Sequence, residues 1–285
     1  MSSPGEPDLA PDDLLVRSRS VMLDALEALA AHRDAVIVIG AQAVYLRTGG
    51  AQVALAEATK DSDLAMDPRR LGDDPRVEAA MSGAGFIPNP VSRQPGAWIN
   101  PQGIPVDLMV PEALAGEAKR GARGVRLPPH GNSAMRRAHG LEAALVDNSL
   151  ERVRSLDAKD DRSFEVRVAG PAALLVAKTI KITERITTPH RLNDKDAHDM
   201  YRVLVAIDTF ALAEGISTLL TDPISRACTA QALDRIGEHI AAGPAALISM
   251  MAGRAEAGIG EPDTVSLAAS TLASDLIDEL RRQGF

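Results

Sequence analysis

The sequence predicts an α/β chain of the α+β kind: helices around a mixed sheet in residues 14–169, then an almost wholly helical segment at 170–285. Two observations lead there. The short, apolar, β-branched runs Ala35–Ile39 and Ile104–Val110 are bounded by turn residues and have the length of buried strands rather than helices. Beyond Gly170 that pattern gives way to apolar residues at helical spacing. A chain of 285 residues makes one or two domains and buries a substantial core.

The elements follow in order. Residues 1–13 are polar, acidic and Pro-containing, which reads as a mobile tail rather than a secretory signal. Leu14–His32 is expected as a helix, with Val16, Met22, Leu23, Leu26 and Leu29 on its apolar face. The strand at 35–39 runs into Gly40–Leu46, a small-residue turn opening a short helix, where the backbone amides of Gly40 and Ala41 could cradle a phosphate. Further strands are expected at 62–66, 97–100, 104–110 and 164–168. Pro75–Gly83 reads as a short helix, and 88–96, broken by Pro90 and Pro95, as a loop. Pro171 stands at the first position of a helix reaching Arg185, Asn193 is placed to cap the next, and Asp263–Gln283 closes the chain.

Within this frame the segment Thr59-Lys60-Asp61-Ser62-Asp63-Leu64 carries the most chemical information. Side chains alternate along a strand, so Asp61 and Asp63 point to one face, and Thr59 with them. Two close carboxylates repel unless a cation lies between them, and magnesium is a hard ion held by one or two carboxylates together with substrate phosphates. Asp107 sits alone inside the apolar run at 104–110 and needs a metal, backbone amides or an arginine as partner. Lys178, Lys181 and Arg185, at i, i+3 and i+7, share one helix face. After Pro189 and Arg191 comes Lys195-Asp196-Ala197-His198-Asp199, whose acids could also simply complement a helix N-terminus.

Strand, Gly-turn, helix, Asp-x-Asp strand and a third Asp on a later strand together resemble the nucleotidyltransferase superfamily of the DNA polymerase β type. Within it the chain is similar to the AbiEii and MenT group of toxin nucleotidyltransferases, through Gly40, Thr59, Asp61 and Asp63 and through the Lys-rich helix followed by Lys195-Asp196 and Asp199. Ala41 and Ser62 depart from the group's pattern. The resemblance spans about residues 33–205. It implies an N-terminal nucleotidyltransferase domain (14–169) and a C-terminal helical domain (170–285) that completes the nucleotide site. It also implies Mg2+, or Mn2+, on Asp61, Asp63 and Asp107, and a nucleoside triphosphate contacted by Gly40, Ala41, Thr59, Lys181, Arg191, Lys195 and Asp199. Lys178 and Asp196 join the three acids as catalytic candidates. The implied acceptor is RNA, a tRNA 3′ end, and the implied regulator is a cognate antitoxin protein.

Composition bears on the partners. Cys228 is the single cysteine, which excludes an intrachain disulfide and a cysteine-based metal centre. No run approaches the ~18 apolar residues of a membrane span, and the reading is a soluble, cytoplasmic protein. A net charge of −8 argues against a generally cationic nucleic-acid binder, but the stretch Ala118–Leu141 contains no acid and carries Lys119, Arg120, Arg123, Arg126, Arg136 and Arg137. That stretch could guide RNA or grip a triphosphate, or be a solvated surface. Trp98 and the four phenylalanines read as core, too few for a base-stacking platform. A small-molecule nucleotidyltransferase would instead present an acidic pocket to a cationic acceptor. A degenerate binding module need not keep three acids.

Overall fold

The computed structural model describes residues 11–49, 61–117 and 121–285. The expected segments at 1–10, 50–60 and 118–120, and with them Thr59, Lys119 and Arg120, lie outside the described residues. The first helix, α1, spans Pro11–Ala28, so it begins three residues before the expected start and stops short of His32. Residues 11–13, read as part of a tail, thus belong to α1. A 3-10 turn, Ala30–Ala35, then leads into strand β1, Val36–Ile39.

Helix α2 (Gly40–Thr48) starts directly at the end of β1. Strand β2 (Ser62–Met66), helix α3 (Val77–Gly83), and strands β3 (Ile87–Pro88), β4 (Ala97–Ile99) and β5 (Pro105–Pro111) follow. Three further strands, β6 (Arg136–Ala138), β7 (Asn148–Arg154) and β8 (Ser163–Ala169), complete one mixed sheet in the order β3-β4-β5-β2-β1-β8-β7. β1 and β2 run antiparallel, whereas β2–β5 and β1–β8 are parallel. β3, β6 and β7 were not legible beforehand.

One edge of β5 serves two partners. β4 pairs with Pro105–Asp107 and β6 takes over at Met109–Pro111. Gly96 stands at the changeover with φ +72°, and a Cβ there would overlap the carbonyl of Leu108 and the amide of Arg136. Only glycine fits both the left-handed backbone and that approach.

Beyond Gly170 the chain is helical, as expected: α4 (Pro171–Thr183), α5 (Asp194–Ala206), α6 (Thr209–Thr221), α7 (Arg226–Ile236), α8 (Leu247–Ala255) and α9 (Pro262–Arg282). Asn193 caps α5, its side chain accepting from the amide of Lys195 at 3.0 Å. α1 packs on β2, β5 and β8, and the Ser62 hydroxyl donates to the Ser18 carbonyl of α1, so the even-numbered residues of β2 face α1. Asp63 consequently points to the opposite face. α4 packs against α2, α5, α6 and α7, and one continuous apolar core runs from Val21 of α1 to Leu280 of α9. Trp98 is in it, as expected, with its indole N–H donating to the Ala134 carbonyl, but of the four phenylalanines read as core Phe86 is buried and Phe164 partly so, whereas Phe210 and Phe285 are exposed. Among the described residues no single helix is long and apolar enough to cross a membrane.

Candidate active site

A cleft of about 760 Å³ opens where β1 ends and β2 and β5 begin, within the size range of small-molecule sites. Gly40, with φ +65°, closes β1; a Cβ at this position would overlap the Asp63 carboxylate, so glycine leaves the space the carboxylate occupies. Asp63 pairs in register with Ile39 on one side and with Asp107 on the other. The parallel β2–β5 ladder thereby sets two carboxylates side by side, and Asp61, just before β2, lines the same cleft. Burial, then repulsion from Asp61 and Asp107, pushes the Asp63 carboxyl up to about 7, with Lys181 and Arg136 opposing.

Asp107 is turned toward β6. Its Oδ2 lies 2.7 Å from Arg136 Nη1, both side chains about four-fifths buried. Burial raises its proton affinity even against that guanidinium. Among the described residues no three His, Cys, Asp or Glu side chains form a metal-binding group, and Asp107 is bonded to Arg136. The donor chemistry nevertheless fits a hard divalent cation. Asp61, Asp63 and Asp107 offer only oxygen and line one cleft, and the glycine at position 40 leaves room for the Asp63 carboxylate among them.

α4 and the turn after it form the facing wall; the helix expected to reach Arg185 ends at Thr183. Lys178, Lys181 and Arg185 all line the cleft, but they differ in freedom. Lys178 Nζ donates to Asp196 Oδ1 at 2.7 Å and Asp199 Oδ2 at 2.6 Å, all three side chains being at most 7% exposed. Burial alone would lower the ammonium's pKa; Asp196 and Asp199 outweigh it and hold the pKa above its ordinary value. Burial would likewise raise Asp196, yet Lys178 and Lys181 hold it well below the usual carboxylate range. Lys181, 39% exposed, donates to the same Asp196 Oδ1 at 2.9 Å, and Arg185 approaches Oδ2 at 3.7 Å. Asp196 is therefore the anchor for three cations.

The other expected residues are distributed as follows. Arg191, Arg123, Arg136 and Arg137 line the cleft, whereas Arg126 is exposed elsewhere. Arg137 is fastened to the carbonyls of Gly124, Ala115 and Gly116. Asp196 and Asp199 stand behind the wall and act on it through Lys178 and Lys181. Ala41 is buried, and Lys195 lies over the Tyr45 ring at 5.8 Å, its pKa lowered by burial. Of the partners weighed for Asp107 an arginine is the one observed, Arg136, which sequence reasoning did not single out; nor did it find the lip formed by Asn89, Ser92 and Gln94, where Gln94 accepts from Arg123 at 2.8 Å. It also missed Glu112, His139 and Glu184 in the cleft wall. The acid-free stretch pointed to Arg136 but not to its distant partner.

The profile of a protein family described as a nucleotidyltransferase matches residues 18–221, from α1 to the end of α6, a span that holds every cleft residue named above. No curated protein and no solved structure matches the chain.

Proposed function

Since the chain belongs to this nucleotidyltransferase family and is an enzyme of that class, we propose that it moves the nucleoside monophosphate of a triphosphate onto RNA, at the 3′ end of a tRNA, as an antitoxin-controlled toxin. The observation that carries the transfer is the facing of Asp61, Asp63 and Asp107 by Lys181, Arg185 and Arg191 across one cleft. Magnesium or manganese held by the three carboxylates would supply charge neutralisation at the triphosphate and polarise the α-phosphorus. Lys181, Arg185 and Arg191 bind the β- and γ-phosphates and stabilise the charge that grows on them. The attacking hydroxyl oxygen bonds to the α-phosphorus, the bond to the β-phosphate oxygen breaks, and pyrophosphate leaves with the electron pair. Asp107, in the cleft beside Asp63, takes the hydroxyl proton.

On this reading residues 14–169 supply the carboxylates and residues 170–285 the cations. The Arg123 lip and Arg136–Arg137 favour a polyanionic acceptor. The tRNA end, the antitoxin and a cytoplasmic location rest on the resemblance to toxin nucleotidyltransferases. Purified protein incubated with total RNA, magnesium and each labelled nucleoside triphosphate in turn should label a tRNA-sized band. No labelled RNA with any of the four refutes the acceptor assignment. Glu112 and Glu184 in the same cleft favour a second reading, a cationic small-molecule acceptor, for which the label would migrate as a low-mass product.

A further inference from the structure

Transfer as proposed needs Asp107 available beside Asp63, yet its carboxylate is bonded to Arg136. The backbone of β6 is fixed on both sides, by β5 and by the bridge to Gly124, and Gly96 lets it approach at the point where β4 ends. The guanidinium therefore starts from a fixed base at the cleft wall and reaches Asp107 on the neighbouring strand. Whereas Arg137 is tied to three carbonyls, Arg136 is tied to a carboxylate that borders the space for the triphosphate. A guanidinium fork fits phosphate as well as carboxylate, so this bond can be exchanged for one of the same kind.

We propose that Arg136 is a nucleotide-operated latch on Asp107. Without nucleotide the guanidinium occupies the carboxylate and keeps the affinity of the acid set for divalent cations low. An entering triphosphate takes the guanidinium and frees Asp107 for the cation. Metal and nucleotide then bind cooperatively, because each favours the open latch. This inference deepens the nucleotidyl-transfer reading and rests on it.

The test is Mn2+ binding, followed by the electron paramagnetic resonance signal of the free ion, with the full chain alone and with each of the four α,β-methylene nucleoside triphosphates. Arg136→Ala should bind Mn2+ at least about tenfold more tightly than wild type without nucleotide, the scale expected from removing a positive charge beside the ligand set and freeing a carboxylate. Arg136→Gln should do the same and covers the case in which the alanine variant fails to fold. Adding Asp107→Asn should cancel the gain, and the wild type should acquire it only with an analogue present. Equal, weak binding by folded Arg136 variants and wild type without nucleotide, alongside analogue-dependent binding by both, overturns the latch alone. A gain that survives Asp107→Asn also overturns it. If no chain binds Mn2+ even with the analogues, the metal-dependent transfer reading falls and the latch with it.

Discussion

Replacing Lys178 by Met removes the ammonium that bridges Asp196 and Asp199 while roughly keeping the volume of the side chain. All three groups are at most 7% exposed, so water cannot take over the lost bonds of 2.7 and 2.6 Å. Breaking a buried ion pair by removing one partner costs about 3 to 5 kcal/mol. Lys181 still reaches Asp196, which places this case toward the lower part of that range. The loss should depend on pH. Asp196 has its folded pKa depressed, so its contribution in the wild type is fully present above the unfolded value of about 3.9 and fades as pH falls through the lower folded value. In the variant, burial is opposed by fewer cations and charging of the site becomes costly as pH rises above that unfolded value. The stability gap is thus widest near neutrality and narrows below about pH 4. Urea melts of both chains between pH 3 and 8 read it directly. A gap below about 1 kcal/mol at pH 7, or one that does not change with pH, would mean that Lys178 is solvated and that the buried anchor does not exist.

Other perturbations separate architecture from chemistry. Lys181→Met, on an exposed side chain, should cost under about 1 kcal/mol of stability but slow transfer by about 100-fold or more; a normal rate places the triphosphate away from α4. Gly40→Ala should displace the Asp63 carboxylate and lower turnover by about 100-fold, with a melting temperature a few degrees lower; unchanged turnover refutes the close packing at the end of β1. Asp63→Asn should abolish transfer yet stabilise the cation-free protein near pH 7. The wild-type carboxyl, raised to about 7, favours the folded state at low pH and loses that advantage as pH climbs from about 4 to 7; equal stability of both chains across this window speaks against the crowding of acids. Arg123→Glu should weaken RNA binding and flatten its salt dependence more than Arg126→Glu does, since only Arg123 borders the cleft; equal effects would move the RNA path to the outer surface.

The strands that carry the acids were legible because their signals are local. Val36–Ile39 is a continuous β-branched run, and Asp107 is a solitary charge among apolar neighbours. β7 was not, because it is a polar strand in which only Val153 is buried, and its order comes from pairing with β8. The cationic face of α4 could be read from spacing. Which of its lysines is buried could not, because α5 decides that by presenting Asp196 and Asp199, one helical turn apart, to Lys178. Asp107 and Arg136 meet through the edge-sharing of β4 and β6 on β5, a tertiary arrangement with no trace in the intervening sequence. Gly40 was assigned to phosphate binding; its steric role toward Asp63 follows only from the register of β1 with β2.

The parallel register of β2 with β5 governs how such a chain can change over generations. Between Met66 and Pro105 the chain makes an excursion through α3, β3 and β4, much of it surface loop in which residues can be gained or lost at small cost. Inside β2 or β5 the rule is one of parity. Deleting a single residue between Pro105 and Asp107 would carry Asp107 to the sheet face covered by α1, while a two-residue change would restore its side but move it along the ladder away from Asp63. Length variation in descendants of this chain should therefore collect in the excursion and spare the two short strands, which act as a fixed ruler between the carboxylates.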